Sequence, residues 1–222
     1  MKKRSLARWL ESGLRRSIAE PLRLSMLPLA RADTDIIRFS MYQQLDAVFA
    51  DPSIRETKAE GLAISGSGGL ARRLCPKARI VTADFPEFNI LKLPFPDASF
   101  DFVVSDQVLE HVAGDPFRAV DETFRILKPG GIAVHTTVLL FQIHGYPSDY
   151  WRFTPDGLRL LCQKFSRVVE AGGWGNRYVW FLNWLGLLFE GNVPLAKWHP
   201  FHKIALINED RYPITTWIVA QK

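Results

Sequence analysis

Two short apolar runs flanking an amphipathic stretch set the pattern of this chain between Phe100 and Thr137. Phe102-Val103-Val104 and Ile132-Ala133-Val134 are strand formers. Between them Phe117, Val120, Phe124 and Leu127 recur at helical spacing, with Asp115 as N-cap and Pro116 in the first turn. Lys128-Pro129-Gly130-Gly131 then stops the helix and turns the chain back. The whole reads as one βαβ unit. Parallel strands joined by a helical crossover belong to a sheet buried on both faces, and ligands of such sheets bind beyond the carboxyl ends of the strands. The loop from Ser105 to His111 therefore lies where chemistry is expected.

The same periodicities organise the flanks. In residues 5–18, Leu6, Leu10, Leu14 and Ile18 fall four apart with arginines elsewhere, which predicts a basic amphipathic helix broken by Pro21 and Pro28. Such a helix packs across its own domain or meets a membrane surface or an acidic partner. A second helix is predicted from about Asp33 to Phe49, ended by Asp51-Pro52. Residues 1–52 thus form a helical extension ahead of one domain over 53–222. Gly61–Gly69 is a strand running into a glycine turn, Leu70–Leu74 opens a helix, and Ile80–Ala83 is a strand ending at Asp84. Further on, Ser166–Ala171 supplies a strand and Tyr178–Glu190 a strongly apolar helix.

Composition narrows the classes. Of 222 residues, 47% are hydrophobic and 23% charged, which suits a globular domain and argues against disorder. The net charge of +5 comes from the first 31 residues, so a protein-wide nucleic-acid field is not expected. Cys75 and Cys162 give neither a disulfide framework nor metal-ligand spacing. The basic start lacks an uninterrupted apolar core and a small-residue cleavage site. The longest apolar stretch, Tyr178–Phe189, falls short of the roughly 18 residues of a membrane span. A cytoplasmic location is the expectation.

FDFVVSDQVLEHV followed by RILKPGG resembles the core of class I S-adenosylmethionine (SAM)-dependent methyltransferases, specifically the methyltransferase type 11-like family. The resemblance covers roughly residues 61–169. It implies a Rossmann-like, doubly wound α/β fold with a mostly parallel sheet and an antiparallel terminal strand. On that pattern Ile204–Asn208 and Ile214–Gln221 would be the terminal antiparallel pair. Only 17 steps separate Asp84 from Asp101, with Pro86, Pro94 and Pro96 among them, so the family's second helix and third strand are expected to be cut short or missing.

The resemblance also implies SAM as cofactor and a small molecule as methyl acceptor. Ser65, Gly66, Ser67 and Gly69 fall on the family's glycine turn, with Ala63 where an acid usually stands. Asp84 falls where an acid accepts from the ribose hydroxyls, a task suited to a carboxylate's paired acceptors. Asn89 and Ile90 take the adenine position, and Asp106 and Gln107 the methionine end. His111 is a candidate general base, or else it orients the loop together with Glu110. Some quinone-type O-methyltransferases hold a divalent metal with acids and the histidine of this loop. Gln107 replaces one of those acids, so no metal is expected here.

HGYPSDYWRFTPDGLRLL, residues 144–161, resembles a segment that lies over the acceptor in methyltransferases of glycan and natural-product genes. His144 or Asp149 would take a hydroxyl proton, and Tyr146, Tyr150 and Arg152 would hold the acceptor. The structural alternative makes Trp151 and Phe153 core and Asp149-Arg152 a salt bridge. The expected reaction is O-methylation of a sugar, glycan or secondary metabolite. Two alternatives stand beside it: a methyltransferase-like scaffold without turnover, and a peripheral membrane enzyme acting on a lipid-linked acceptor.

Overall fold

The computed structural model describes residues 31–50, 59–145, 148–184 and 192–222, with Ser17, Pro21 and Leu29 besides. The amphipathic helix expected over 5–18 thus falls, apart from Ser17, outside the described residues. In chain order the described strands are β1 (Arg31–Asp35), β2 (Glu60–Ile64), β3 (Arg79–Ala83), β4 (Phe100–Asp106), β5 (Leu127–Val138), β6 (Arg167–Trp174), β7 (Asn192–Pro194) and β8 (Thr215–Gln221). The helices are α1 (Ile36–Phe49), α2 (Gly68–Leu74), α3 (Pro116–Ile126), α4 (Pro155–Leu161), α5 (Arg177–Trp184) and α6 (Pro200–Leu206).

By their contacts the residues divide into two compact units, one drawn from 41–139, 143–173 and 215–222 and the other from 1–40, 140–142 and 174–214. The first unit carries a six-stranded sheet in the order β3-β2-β4-β5-β8-β6. Strands β3, β2, β4 and β5 pair in parallel, and β8 runs antiparallel to β5. A doubly wound, mostly parallel sheet with an antiparallel terminal strand is what the βαβ pattern implies. Leu62, Val103, Val104, Ala133, Val134, Ile218 and Val219 are fully buried, because strands in such a sheet are covered on both faces. Gly61 has no room for a side chain: a Cβ there would come within 2.1 Å of the Phe102 ring on the neighbouring strand.

Helix α3 is closed at both ends. Asp115 accepts from the Phe117 amide at 2.9 Å, the cap the sequence predicts. At the other end the Lys222 ammonium donates to the carbonyls of Phe124 and Leu127, each at 2.7 Å, satisfying groups that a helix terminus leaves open. Between β3 and β4 the chain forms turns and a single isolated bridge, Asn89–Lys92, so the missing crossover elements are missing as expected. Arg125 of α3 clamps this shortened connection. It donates to the carbonyls of Leu93 and Phe95 and pairs with Asp97 and Glu122, and Glu122 in turn accepts from the Leu93 amide.

A polar group sits inside this unit. His135 of β5 is fully buried, with Ser105 Oγ 2.7 Å from Nδ1 and Thr123 Oγ1 3.3 Å from Nε2. Burial pushes its pKa down to about 4, so the ring is neutral near pH 7.

In the second unit β1 pairs antiparallel with β7. The helix expected from Asp33 therefore starts only at Ile36, where Asp35 Oδ1 accepts from the amides of Ile37 and Arg38 at 2.9 and 3.0 Å. The strand expected over Ile204–Asn208 is instead helix α6. Pro200 occupies its first turn and His199 Nδ1 accepts from the Phe201 amide, two start signals that outweigh the β-branched residues downstream. The expected helix from Tyr178 to Glu190 is α5 as far as Trp184, and the remainder lies outside the described residues.

Candidate active site

The site is built where β2, β3 and β4 end. Ser65 (φ 48°) and Gly66 (φ 82°) carry the chain from β2 into α2 through left-handed backbone, and Gln107 (φ 54°) does the same after β4. Non-glycine residues in that region are uncommon and gather at functional sites. The Gly66 amide donates to Asp84 Oδ1 at 2.8 Å, which fixes the glycine turn to the end of β3. Ser67 Oγ donates to the Ile64 carbonyl and accepts from the Asp106 amide at 2.7 Å, which fixes it to β4. Asp106 is itself held by Thr136 Oγ1 and Tyr42 Oη, each 2.5 Å from a carboxylate oxygen.

These ends frame a cavity of about 720 Å³. Ser65, Gly66, Asp84, Asn89, Ile90, Gln107, His111 and Tyr150 from the sequence reading line it, together with Phe85, Phe88, Leu91, Val108 and Val112. The remaining sequence-predicted positions are placed elsewhere. Ser67 and Asp106 are bonded into the strand ends, Gly69 lies within α2, and His144, Asp149 and Arg152 stand behind His111 rather than on the lining. Tyr146 lies outside the described residues.

The lining suits a nucleoside cofactor. A Cβ at Gly66 would meet no atom within 4 Å, so the glycine leaves open space beside the Asp84 carboxylate. Asp84 supplies paired acceptors for ribose hydroxyls, Asn89 an amide, and Ile90 and Phe88 an apolar surface, the groups that adenosine needs.

A histidine-rich wall closes the other end. His111 and His144 meet edge to face with ring centroids 5.0 Å apart. His111 Nδ1 lies 2.6 Å from the Ser148 carbonyl, which can only accept, so the proton sits on Nδ1 and Nε2 carries the lone pair. His144 Nδ1 is 3.2 Å from Asp149 Oδ2, and the same carboxylate accepts from the His144 amide at 2.9 Å. The Asp149 side chain is 1% exposed and is gripped by both terminal nitrogens of Arg152. That guanidinium holds the Asp149 pKa down at about 2, so Asp149 orients His144 and does not itself take up protons near neutrality. The salt bridge that the structural alternative expected is present, and Asp149 orients His144 besides.

Glu110 is the site residue to which sequence reasoning gave no chemistry. Its side chain is fully buried: Oε2 accepts from Thr137 Oγ1 at 2.9 Å, and Oε1 has no hydrogen-bond partner among the described residues. Desolvation raises its pKa to about 7. One ligating atom from each of Glu110, His111 and His144 lies within 4.8 Å of the other two. The available signal was a carboxylate among the apolar residues Val108, Leu109 and Val112, directly beside His111.

Residues 61–135 match the model of a family described as a methyltransferase domain. Over 61 residues the chain is 44% identical to a probable SAM-dependent methyltransferase of Mycolicibacterium smegmatis, covering 28% of this chain and 23% of that protein. Residues 61–135 thus carry the pattern of a methyltransferase domain. The chain spans about a quarter of the length of the curated relatives it matches. The fold of the chain is similar to that of a putative methyltransferase of Bacillus halodurans, at a TM-score of 0.54 and 17% identity over 82% of this chain and 99% of that one. A Haemonchus contortus phosphoethanolamine N-methyltransferase, solved in complex with SAM, has a TM-score of 0.54 at 15% identity over 81% of this chain and 52% of its own.

Proposed function

We propose that the protein transfers the methyl group of SAM to an oxygen of a small hydroxylated acceptor, a sugar, glycan unit or secondary metabolite. The observation that carries this reading is the cavity running from Gly66 and Asp84 to His111 and Tyr150. When bound, SAM supplies an electrophilic methyl on a sulfonium. The chain's residues then have mainly to bind and align, since such a displacement needs geometry and the removal of one proton. Asp84 holds the ribose, Asn89 and Ile90 the adenine, and the backbone at Ser65 and Gly66 lets the cofactor approach. The acceptor oxygen gains the methyl as the sulfur takes back the bonding pair, and its proton departs on the side of His111 and His144. Tyr150 contributes to acceptor binding, and Arg152 fixes Asp149, which keeps His144 in one tautomer. Burial raises the Cys162 thiol to about 12 and Cys75 is also buried, so both are inert thiols suited to the cytoplasm.

Calorimetry with SAM, followed by release of S-adenosylhomocysteine over a panel of hydroxylated acceptors, tests the proposal. Micromolar SAM binding that Asp84→Ala weakens at least tenfold supports it. Folded protein that binds no SAM at millimolar concentration overturns it in favour of a scaffold.

A lipid-linked acceptor is a second reading, favoured by exposed aromatics in the second unit: Phe181, Trp184 and Trp198 are 50%, 69% and 67% exposed. Among the described residues no helix is long and apolar enough to cross a membrane. Flotation with anionic liposomes, with and without residues 1–30, tests this. Indifference to lipid removes it.

A further inference from the structure

We infer that Glu110, His111 and His144 bind a divalent first-row transition-metal ion, the two imidazoles giving nitrogen ligands and Glu110 an oxygen. The three side chains come from two loops, the one following β4 and the one following β5, which the fold brings to the same end of the sheet. Their ligating atoms already lie within 4.8 Å of one another. Ligands about 2.1 Å from one ion stand about 3.0–3.6 Å apart in cis-octahedral to trigonal arrangements, so closing on an ion draws the three atoms together by at most about 1–2 Å, within the reach of side-chain rotation.

Three independent features point to an ion rather than a hydrogen-bonded cluster. First, Glu110 Oε1 is buried and has no partner among the described residues, although its sister oxygen is bonded to Thr137. A buried acceptor left open is costly, and a cation answers it. Second, His111 is fixed in the tautomer that directs the Nε2 lone pair away from Ser148, since Nδ1 must donate to that carbonyl. Third, Asp149 faces Nδ1 of His144 and is itself gripped by Arg152. A carboxylate behind a histidine is the outer support that metal-bound imidazoles usually have, setting the tautomer and the ring plane.

Two nitrogens and one carboxylate oxygen select ions such as Zn²⁺, Fe²⁺, Co²⁺ or Mn²⁺ over Mg²⁺ and Ca²⁺, which prefer all-oxygen shells. Three protein ligands leave coordination positions open. His111 lines the cavity, so an open position would face the acceptor. This role rests on the cavity being a methyl-transfer site. There the ion would hold the acceptor oxygen and lower the pKa of its hydroxyl, and the hydroxyl proton would pass to water. With the ion present the imidazoles would serve as ligands and not as bases.

The test uses the full chain, stripped with a chelator and titrated with Co²⁺ by calorimetry and visible absorption. SAM binding is measured on the same samples. The expected result is one equivalent of Co²⁺ bound at micromolar Kd or tighter, with visible d–d bands. Glu110→Gln and His144→Ala should each weaken binding at least 100-fold. Asp149→Asn, which leaves all three ligands in place, should weaken it about 10- to 100-fold. Retained SAM affinity shows that each variant is folded. If Co²⁺ binds no better to the wild-type chain than to the His111→Ala, His144→Ala double variant, the metal site is overturned. The methyltransferase reading survives that outcome as long as SAM still binds. If Co²⁺ binds as expected and SAM does not, the site stands and its catalytic role falls.

Discussion

Two histidine clusters are built into the same sheet unit, and they differ in whether their polar atoms are used up. Around His135 both ring nitrogens face hydroxyls, from Ser105 and Thr123, and Thr123 Oγ1 also donates to the Val120 carbonyl at 2.7 Å. Around Glu110, His111 and His144 the outer atoms are bonded to Thr137, Ser148 and Asp149, while Glu110 Oε1 is left open. Burial moves both centres toward neutrality: His135 falls to about 4 and Glu110 rises to about 7. A closed buried network contributes rigidity. An open one is held in place by its neighbours and retains binding capacity on the inside.

The largest effect should come from opening the contrast at the reactive cluster. His144→Ala is expected to lower turnover, followed as S-adenosylhomocysteine release on the best acceptor, by about 100- to 1,000-fold, or about 3–4 kcal/mol of barrier. Thermal melting should shift by no more than a few degrees. A large drop in melting temperature would place His144 with the structural cluster instead.

Next comes pH. His135 has a folded pKa below its unfolded value, so the unfolded chain takes up that proton more readily. Its contribution is fully present above about pH 6.5 and is lost as pH falls toward about 4, up to about 3 kcal/mol in all. Urea titrations across that window measure the loss, and His135→Gln should flatten the slope. An unchanged slope would mean that other groups govern acid stability.

At neutral pH, His135→Leu strands the buried Ser105 hydroxyl, while Thr123 keeps its bond to Val120, and should cost about 2 kcal/mol of stability, with SAM affinity unchanged. Tyr42→Phe removes one of the two hydroxyl donors to Asp106 and should cost about 1.5 kcal/mol, with a small loss of SAM affinity because Asp106 anchors Ser67. Lys128→Ala breaks a partly exposed pair with Asp101 and should change stability by less than about 1 kcal/mol. Any larger cost there would show that surface charge, more than buried polarity, decides the stability of this unit.

Much of the scaffold was legible because its signals are local. The cap at Asp115, the paired apolar runs and the proline-crowded interval after Asp84 each act through backbone conformations set within a few residues. The misplaced elements show where local signals compete. Arg31–Asp35 lacks a strand signature of its own and is extended because Asn192–Pro194 lies beside it. At Ile204–Asn208 the resemblance implied a strand, but Pro200 and His199 start a helix first.

The candidate site divides along the same line. The amino-acid sequence by itself determined a parallel α/β scaffold, a small-residue turn, an acid at the end of β3 and a histidine after β4, because each follows from residue type at a fixed distance from a strand end. Only the tertiary structure decided that His144 stands against His111, that Arg152 and Asp149 brace it, and that Glu110 is closed off from water with one oxygen open. The first of these facts joins residues more than thirty positions apart, and desolvation and ligand geometry belong to the packed surroundings rather than to any stretch of chain.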